Sequence, residues 1–382
     1  MPTRDAYAIA ALAVLIFFVA FNLQSGWVYA VDALLAGVVL VGLLSARHAV
    51  RGVRITRHLP AEAVEGEPVT VGLTLEARGT GRRAFLRVLD AVPGLSPVEV
   101  FIGAVAPGHP LRTSYVTTAV RRGTHYADTT VLSSGGLAGV FVARRAVAAP
   151  GEMTVYPRYW QLSRFPLAAW TPSVQAAGAT RRRGGLEFYG LRDYRSGDSL
   201  RHVHWRSSAR RGALMVREFE QELPGSLTLV IDTRPEVQAG SGAESTFEDL
   251  IRAAASVAWY VTSHGGAVRL LAATAAGPLD LTAGWRPVLR ALADLRMEGD
   301  IPPARLLDLV GAGRMPVIAL SPDPAAVAPL RASGTEVAAI LADAASYDSR
   351  PAAGPARLDR AGSALCIIRK GDDLGLRLEQ SA

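Results

Sequence analysis

Between Gly190 and Gly212 the sequence reads GLRDYRSGDSLRHVHWRSSARRG, with six arginines, two aspartates, two histidines and one tryptophan. Three kinds of chemistry suit this set. Histidine beside aspartate suits proton transfer. Clustered arginine with tryptophan and tyrosine suits phosphate contact and stacking. Arginine forks also take carboxylates and backbone carbonyls bidentately, which locks irregular chain against a sheet. The spacing weighs against catalysis. Ser196 and Gly197 mark a turn, Asp198 or Ser199 caps a short helix over LRHVHWRSSARR, and Gly212 stops it. His202 and His204 are two apart, so a helix points them in different directions and they make no i, i+4 metal pair. The sequence carries no HExxH, nucleophile elbow or Walker A loop, and Ser207 and Ser208 lack an arranged base. Asp193, Asp198 and the downstream EFEQE reduce the field a nucleic acid would need. The segment reads as a structural lock, with some arginines left for a partner. Two alternatives stay open. One is a hydrolase or transferase using Arg192, Asp193, Asp198, His202 and His204. The other is a phosphate-sensing module gripping an anion with Arg192, Arg195, Arg201 and Arg206.

The elements around this segment differ in kind. The chain has 382 residues, enough for two or three domains. A hydrophobic share of 49% and a mean hydropathy of +0.20 call for a membrane part. Residues 6–23 carry no charge and residues 27–45 carry one, Asp32. Each run is long enough to cross a bilayer as a helix, and the QSG between them allows only a tight hairpin. A cleaved signal peptide fits less well, because a second apolar run follows at once. Arg4 precedes the first run, and Arg47, Arg51, Arg54 and Arg57 follow the second. The positive-inside rule therefore places both ends, and everything after residue 46, in the cytoplasm. Trp27 and Tyr29 suit the outer interface, with Asp32 about one turn inside it. The net charge is +7, almost all of the cations are arginine, and Lys370 is the only lysine. With the abundant Ala and Gly, that balance reads mainly as composition bias; it also fits an anionic membrane face or an acidic partner. No nucleic acid is expected, because the aspartates cut the field and a membrane tether limits access. The single cysteine, Cys366, excludes an internal disulfide and reads as a buried strand residue.

The sequence divides into 1–48 (two transmembrane helices), 49–160 (a β-sandwich), 161–222 (the arginine-rich segment) and 223–382 (an α/β domain). In the second part, seven short alternating segments are separated by Gly, Pro and charged turns, from RGVRITRHL to AGVFVARRAV. AAGATRRRGG (176–185) reads as an exposed linker, and ALMVREFEQ after Gly212 alternates as a strand. In the last part, SLTLVIDTRPE is a buried strand ending at Asp232, and a helix follows with Ser245 and Glu248 as a capping box. AVRLLAATA, MPVIALSP, TEVAAILAD and SALCIIRKG are further strands, with WRPVLRALADLRM and DPAAVAPLRASG as helices. Alternating strands and helices predict a parallel sheet, with ligands at the carboxyl ends of its strands and so near Asp232.

The arginine-rich stretch closely resembles the signature of the bacterial family known as domain of unknown function 58. The matching residues are Gly190, Arg192, Tyr194, Gly197, Asp198, Arg201, Trp205, Ala209 and Arg210, then Val216, Arg217 and Glu218. Arg206 stands beside Trp205 in the same stretch. The likeness extends to RRGTHYADTTVLSSGGLAGVF, where the usual Asp-Pro of the turn is missing, and to MTVYPR at 153–158. The resemblance implies a multidomain fold: an N-terminal transmembrane helical hairpin, a β-sandwich and a C-terminal α/β von Willebrand factor A-like domain. Such domains hold a divalent ion on an Asp-x-Ser-x-Ser loop. Here the loop reads Asp232, Thr233, Arg234, Pro235, Glu236, with both serines replaced. A degenerate site without metal is expected, with Asp232 capping nearby amides or pairing with an arginine, and no cofactor. The resemblance further implies a MoxR-type AAA+ ATPase as partner. The expected role is that of a non-enzymatic scaffold on the bacterial cytoplasmic membrane, in protein-complex assembly or cell-envelope processes.

Overall fold

Two apolar helices open the chain, α1 (Arg4–Leu23) and α2 (Gly26–Val50). The structure is a computed structural model and describes residues 2–137, 139–165, 188–193, 208, 210, 212, 214–219, 226–311, 315–332, 337–348 and 364–380. Thr3 caps α1 by accepting the Ala6 N–H at 3.3 Å, and Gln24 takes a left-handed conformation that turns the chain into α2. Both helices are long and apolar enough to cross a membrane. Their large side chains, Phe17, Phe18, Phe21 and Leu34 among them, are exposed, whereas Ala6, Ala20, Gly42 and Ala46 are buried. A core helix of a water-soluble fold shows the reverse arrangement; small residues inside and large ones outside suit a lipid environment.

The first compact unit, Met1–Pro157, continues into eight strands. They are β1 (Val53–His58), β2 (Glu62–Val64), β3 (Pro68–Ala77), β4 (Arg83–Asp90), β5 (Val98–Val105), β6 (Leu111–Thr118), β7 (Gly123–Ser134) and β8 (Ala143–Tyr156). One sheet has the order β1-β3-β6 and the other β2-β8-β7-β4-β5. Period-two alternation turns Val69, Val71, Leu73 and Leu75 of β3 inward. They share one core with Leu86 and Val88 of β4, Ile102 of β5, Leu132 of β7 and Met153 and Val155 of β8. The two sheets thus face each other as a sandwich. Ala49 and Val50, from the last turn of α2, belong to the same core.

Two details depart from the sequence reading. Eight strands replace seven: β2 is extra, and β8 joins AGVFVARRAV to MTVYPR through Pro150. Pro150 has no N–H to give, and it sits where Ala127 pairs with Gly151 but Thr129 pairs with Ala148, an irregularity in the β7–β8 ladder. Arg57 is also not one of the exposed basic residues flanking the two apolar helices. The alternation of β1 turns it inward, and its side chain is fully buried. Its Nε donates to Asp90 Oδ2 at 3.0 Å, and Nη2 reaches Asp90 Oδ1. The guanidinium also donates to the carbonyls of Ala127, Thr129 and Ala149, which flank that irregularity. Tyr115 donates its hydroxyl to Asp90 Oδ2 at 2.7 Å. Burial, and then this bond to Asp90, push the Tyr115 phenol well above its ordinary range.

The second unit spans Arg158–Ala382. A two-stranded pair, β9 (Phe188–Asp193) and β10 (Met215–Phe219), precedes its main sheet. Then come β11 (Ser226–Ile231), β12 (Gly240–Ser241), β13 (Glu244–Ser245), α3 (Thr246–Ser263), β14 (Ala267–Thr274), β15 (Gly277–Ala283) and α4 (Trp285–Asp294). They are followed by α5 (Pro303–Val310), β16 (Val317–Ser321), α6 (Pro324–Ala332), β17 (Val337–Ala342), α7 (Ala344–Tyr347), β18 (Ala364–Ile368) and α8 (Leu374–Gln380). The main sheet has the order β15-β14-β11-β16-β17-β18; β15 is antiparallel and the rest run parallel. β16 and β17 are buried at every position, as strands covered on both faces must be. Ser245 accepts the Glu248 N–H at 3.3 Å and starts α3 as the capping-box reading expects. β15, α5 and α8 are additions to the sequence reading. β15 is a half-exposed edge strand interrupted by Pro278 and Asp280, so its apolar signal is weak.

The buried network is expected to be unforgiving. Arg57→Met leaves Asp90 unpaired and three carbonyls unsatisfied, and should cost about 3–5 kcal/mol. Tyr115→Phe should cost about 1.5–3 kcal/mol. Chemical denaturation of the full chain in detergent checks both, and near-equal small losses would contradict the account.

Candidate functional site

Strand order locates the first place to look. From β11 the chain passes through α3 to β14 on one side, and β16 then falls on the other side of β11. At such a reversal a crevice opens outside the carboxyl ends of the two neighbouring strands. Asp232 directly follows β11 and is fully buried. Ser321 ends β16, and Asp323 lies two residues on. Arg234 closes the group. Its Nε and Nη2 donate to Asp232 Oδ1 and Oδ2 at 2.9 and 2.8 Å, and Nη2 also reaches Asp323 Oδ2 at 3.3 Å. The Arg234 backbone N–H donates to Asp232 Oδ1 at 3.3 Å, and the Ser321 hydroxyl to Oδ2 at 2.7 Å. Asp232 thus accepts four hydrogen bonds, the full capacity of a carboxylate. The bond to Asp232 is the main reason that the Arg234 guanidinium sits well above its ordinary pKa.

The backbone of this loop is pinned as firmly. The Thr233 hydroxyl donates to Ala273 O at 2.6 Å, and Gly299 N–H donates to Thr233 O at 3.2 Å. Gln238 Nε2 donates to Asp232 O at 2.9 Å. A Cβ at Gly299 would lie 2.1 Å from Thr233 Oγ1, so only glycine fits there. Glu236 lies at the edge of the group, 3.9 Å from Arg234 Nη1 and mostly exposed. These residues do not fit a divalent cation. A guanidinium holds both Asp232 oxygens, where a hard cation would need them free. Among the described residues, no group of three or more His, Cys, Asp and Glu is placed to hold a metal ion.

A second polar cleft lies beside the β12–β13 hairpin, lined by Glu244, Tyr347 and Lys370. Lys370 pairs with Glu244 at 2.8 Å and holds that carboxyl below its ordinary value. The Tyr347 hydroxyl donates to Asp249, which also pairs with Arg252 at 2.6 Å. Burial, then the bond to Asp249, raise the Tyr347 phenol.

The arginine-rich signature is brought together at its two ends. In the antiparallel β9–β10 pair, Arg192 is opposite Val216, Leu191 opposite Arg217 and Gly190 opposite Glu218. Arg210 is helical and exposed. Gly212, at φ +70°, donates its N–H to Ser208 O at 2.9 Å, the helix stop expected from the sequence. Tyr194, Gly197, Asp198, Arg201, Trp205 and Arg206 lie outside the described residues, with His202 and His204. Ser321 and Asp323 are the residues that sequence reasoning did not single out. Their signal was the Ser-Pro-Asp-Pro that follows the apolar run of β16 at once.

Residues 190–312 match the family model described as "Protein of unknown function DUF58", a span that takes in most of β9, all of β10 and the Asp232 loop. A relative, "Uncharacterized protein YeaD" of Bacillus subtilis, is 24% identical over 158 residues, covering 41% of this chain and 38% of the relative. The chain therefore spans little more than a third of that relative's length. Among solved structures, a CARDB domain from Pyrococcus furiosus overlaps 27% of this chain and 94% of its own, at 10% identity and a TM-score of 0.22. A cohesin module from Clostridium perfringens overlaps 27% of this chain and 96% of its own, at 12% identity and a TM-score of 0.18.

Arg234→Ala should destabilise the second unit by about 3 kcal/mol, because it strands a fully buried carboxylate. Added Mg²⁺ or Mn²⁺ should leave the melting temperature of the wild-type chain unchanged. A rise would show that Arg234 yields Asp232 to a cation.

Proposed function

We propose that this chain is a membrane-anchored scaffold that docks a partner protein, and that it is not an enzyme. The observation that carries this reading is the saturated Asp232. A general base or a metal ligand needs a free lone pair, and the buried carboxylate at the reversal of the sheet has all of its acceptor sites engaged within the protein. Numbered along the chain, the main sheet runs 3-2-1-4-5-6 with its third strand antiparallel at the edge. That order supports the von Willebrand factor A-like reading of this domain. The two apolar helices support anchoring. Arg4 before them and Arg47, Arg51 and Arg54 after them support an orientation with both soluble units in the cytoplasm, on the inner membrane of a bacterium.

The partner we infer is a MoxR-type AAA+ ATPase, and the role is assembly of protein complexes or upkeep of the cell envelope. This choice rests on the resemblance of the arginine-rich signature to that family, which residues 190–312 match, and on the six arginines available for contact between Gly190 and Gly212. The test is a pull-down with the detergent-solubilised full chain, wild type against Arg206→Ala, after circular dichroism shows that both fold. The wild type should retain an ATPase of this class and the folded variant should lose it. If both fold and neither retains one, the scaffold reading fails.

A further inference from the structure

The first unit carries a feature that the anchor helices alone do not require. The β7–β8 hairpin reaches across to both of them. Thr3, ahead of α1, donates its N–H and hydroxyl to Val140 O at 3.1 and 2.7 Å, and Pro2 bridges to Phe141. On α2, Ser45 Oγ accepts the Leu137 N–H at 3.2 Å. Gly136, at φ +62°, lets the two backbones meet: a Cβ there would lie 2.5 Å from Ser45 Oγ and 2.7 Å from Ala46 N. Arg83 closes the other side. It donates to the carbonyls of Arg51, Arg78, Thr80 and Gly81 and contacts His48 Nε2, joining the end of α2 to the β3–β4 loop. The hairpin is therefore held at a fixed level along both helices.

That level follows from helix geometry. α2 rises ~28 Å between Gly26 and Ser45, and α1 rises ~30 Å over its length. The hydrocarbon core of a bilayer is ~30 Å thick. If Trp27, which is 86% exposed, marks one interface, Ser45 and Thr3 both mark the other, and the hairpin tip lies in that plane. At this tip Leu137 is 69% exposed, and its backbone N–H is pinned by Ser45. Arg4, Arg47, Arg51, Arg82 and Arg144 are exposed around the same rim, and none forms an ion pair among the described residues. Asp5 is the acidic residue of the first turn of α1. An apolar side chain at the acyl boundary, ringed by guanidinium groups at headgroup height, is complementary to a leaflet of anionic phospholipid.

We infer that this rim of the sandwich is a second membrane contact, in which Leu137 enters the bilayer interface and the surrounding arginines bind anionic phospholipid headgroups. The inference rests on the reading of α1 and α2 as membrane-spanning, and the test separates the two. Single cysteines are introduced into the full chain as Leu137→Cys, Val120→Cys and Val14→Cys and labelled with an environment-sensitive fluorophore. Cys366 does not compete, because burial pushes its thiol up to about 11. The proteins are reconstituted into vesicles of phosphatidylcholine and phosphatidylglycerol containing a lipid spin-labelled near the headgroup. Val120 lies beyond the end of β6 that pairs with Pro68, at the opposite end of the sandwich from the hairpin tip. The label at 137 should shift to the blue and lose emission to the spin label, and the label at 120 should do neither. In vesicles of phosphatidylcholine alone the shift at 137 should shrink; an unchanged shift overturns the role of the arginines. With spin labels placed deep in the acyl chains, the label at 14 should be quenched. Quenching at 14 without any at 137 overturns the contact while the helices still span. No quenching at 14 overturns the spanning reading, and the contact with it.

Discussion

Asp90 sits in the middle of a hydrophobic sandwich, and a charge there is tolerable only because every oxygen has a partner. The Arg57 fork and the Tyr115 hydroxyl meet the carboxylate. The same guanidinium satisfies three carbonyls beside the interruption that Pro150 introduces between β7 and β8. One side chain of β1 thus settles two burial problems at once, an anion and a broken ladder, both on the facing sheet. Leu73, Leu86 and Leu132 belong to the core of the same sandwich, which tolerates the buried charge only with that network complete.

The pattern recurs. Arg83 gathers the carbonyls where the β3–β4 loop meets α2, and Arg234 neutralises Asp232 where the main sheet of the second unit reverses. In each place a planar donor with five N–H groups holds irregular backbone or a buried carboxylate that a lysine would satisfy less well. The abundance of arginine therefore has a structural use over and above any composition bias. In the second unit it also has a functional meaning. A carboxylate held by a guanidinium, a hydroxyl and a backbone amide is a fixed part of the fold and not a reagent.

Much of this was legible in the sequence, and what was not had local causes. The apolar helices, the alternation of β3 and the capping box at Ser245 stand out because each is a repeated or paired local signal. Arg57 misled because four arginines after an apolar run look alike, and only the phase of β1 separates the inward one from its neighbours. β15 was invisible as a strand, since an edge position needs apolar residues on one face only and Pro278 and Asp280 occupy the other. At the crevice, Asp232 and Arg234 are close in sequence and their pairing could be anticipated. Ser321 and Asp323 are nearly ninety residues away and meet them only through the parallel pairing of β11 with β16.

The last turn of α2 has a mechanical meaning. Ala49 and Val50 are part of the sandwich core, so helix and sandwich share side chains with no linker between them. A flexible tether lets a domain tumble and leaves its attachment point indifferent to what the domain does. Here the joint is a clamp, and a bending or twisting load on the sandwich passes straight into the helical hairpin. Whatever pulls on the sandwich therefore acts on the two apolar helices as a lever and not as a weight on a string.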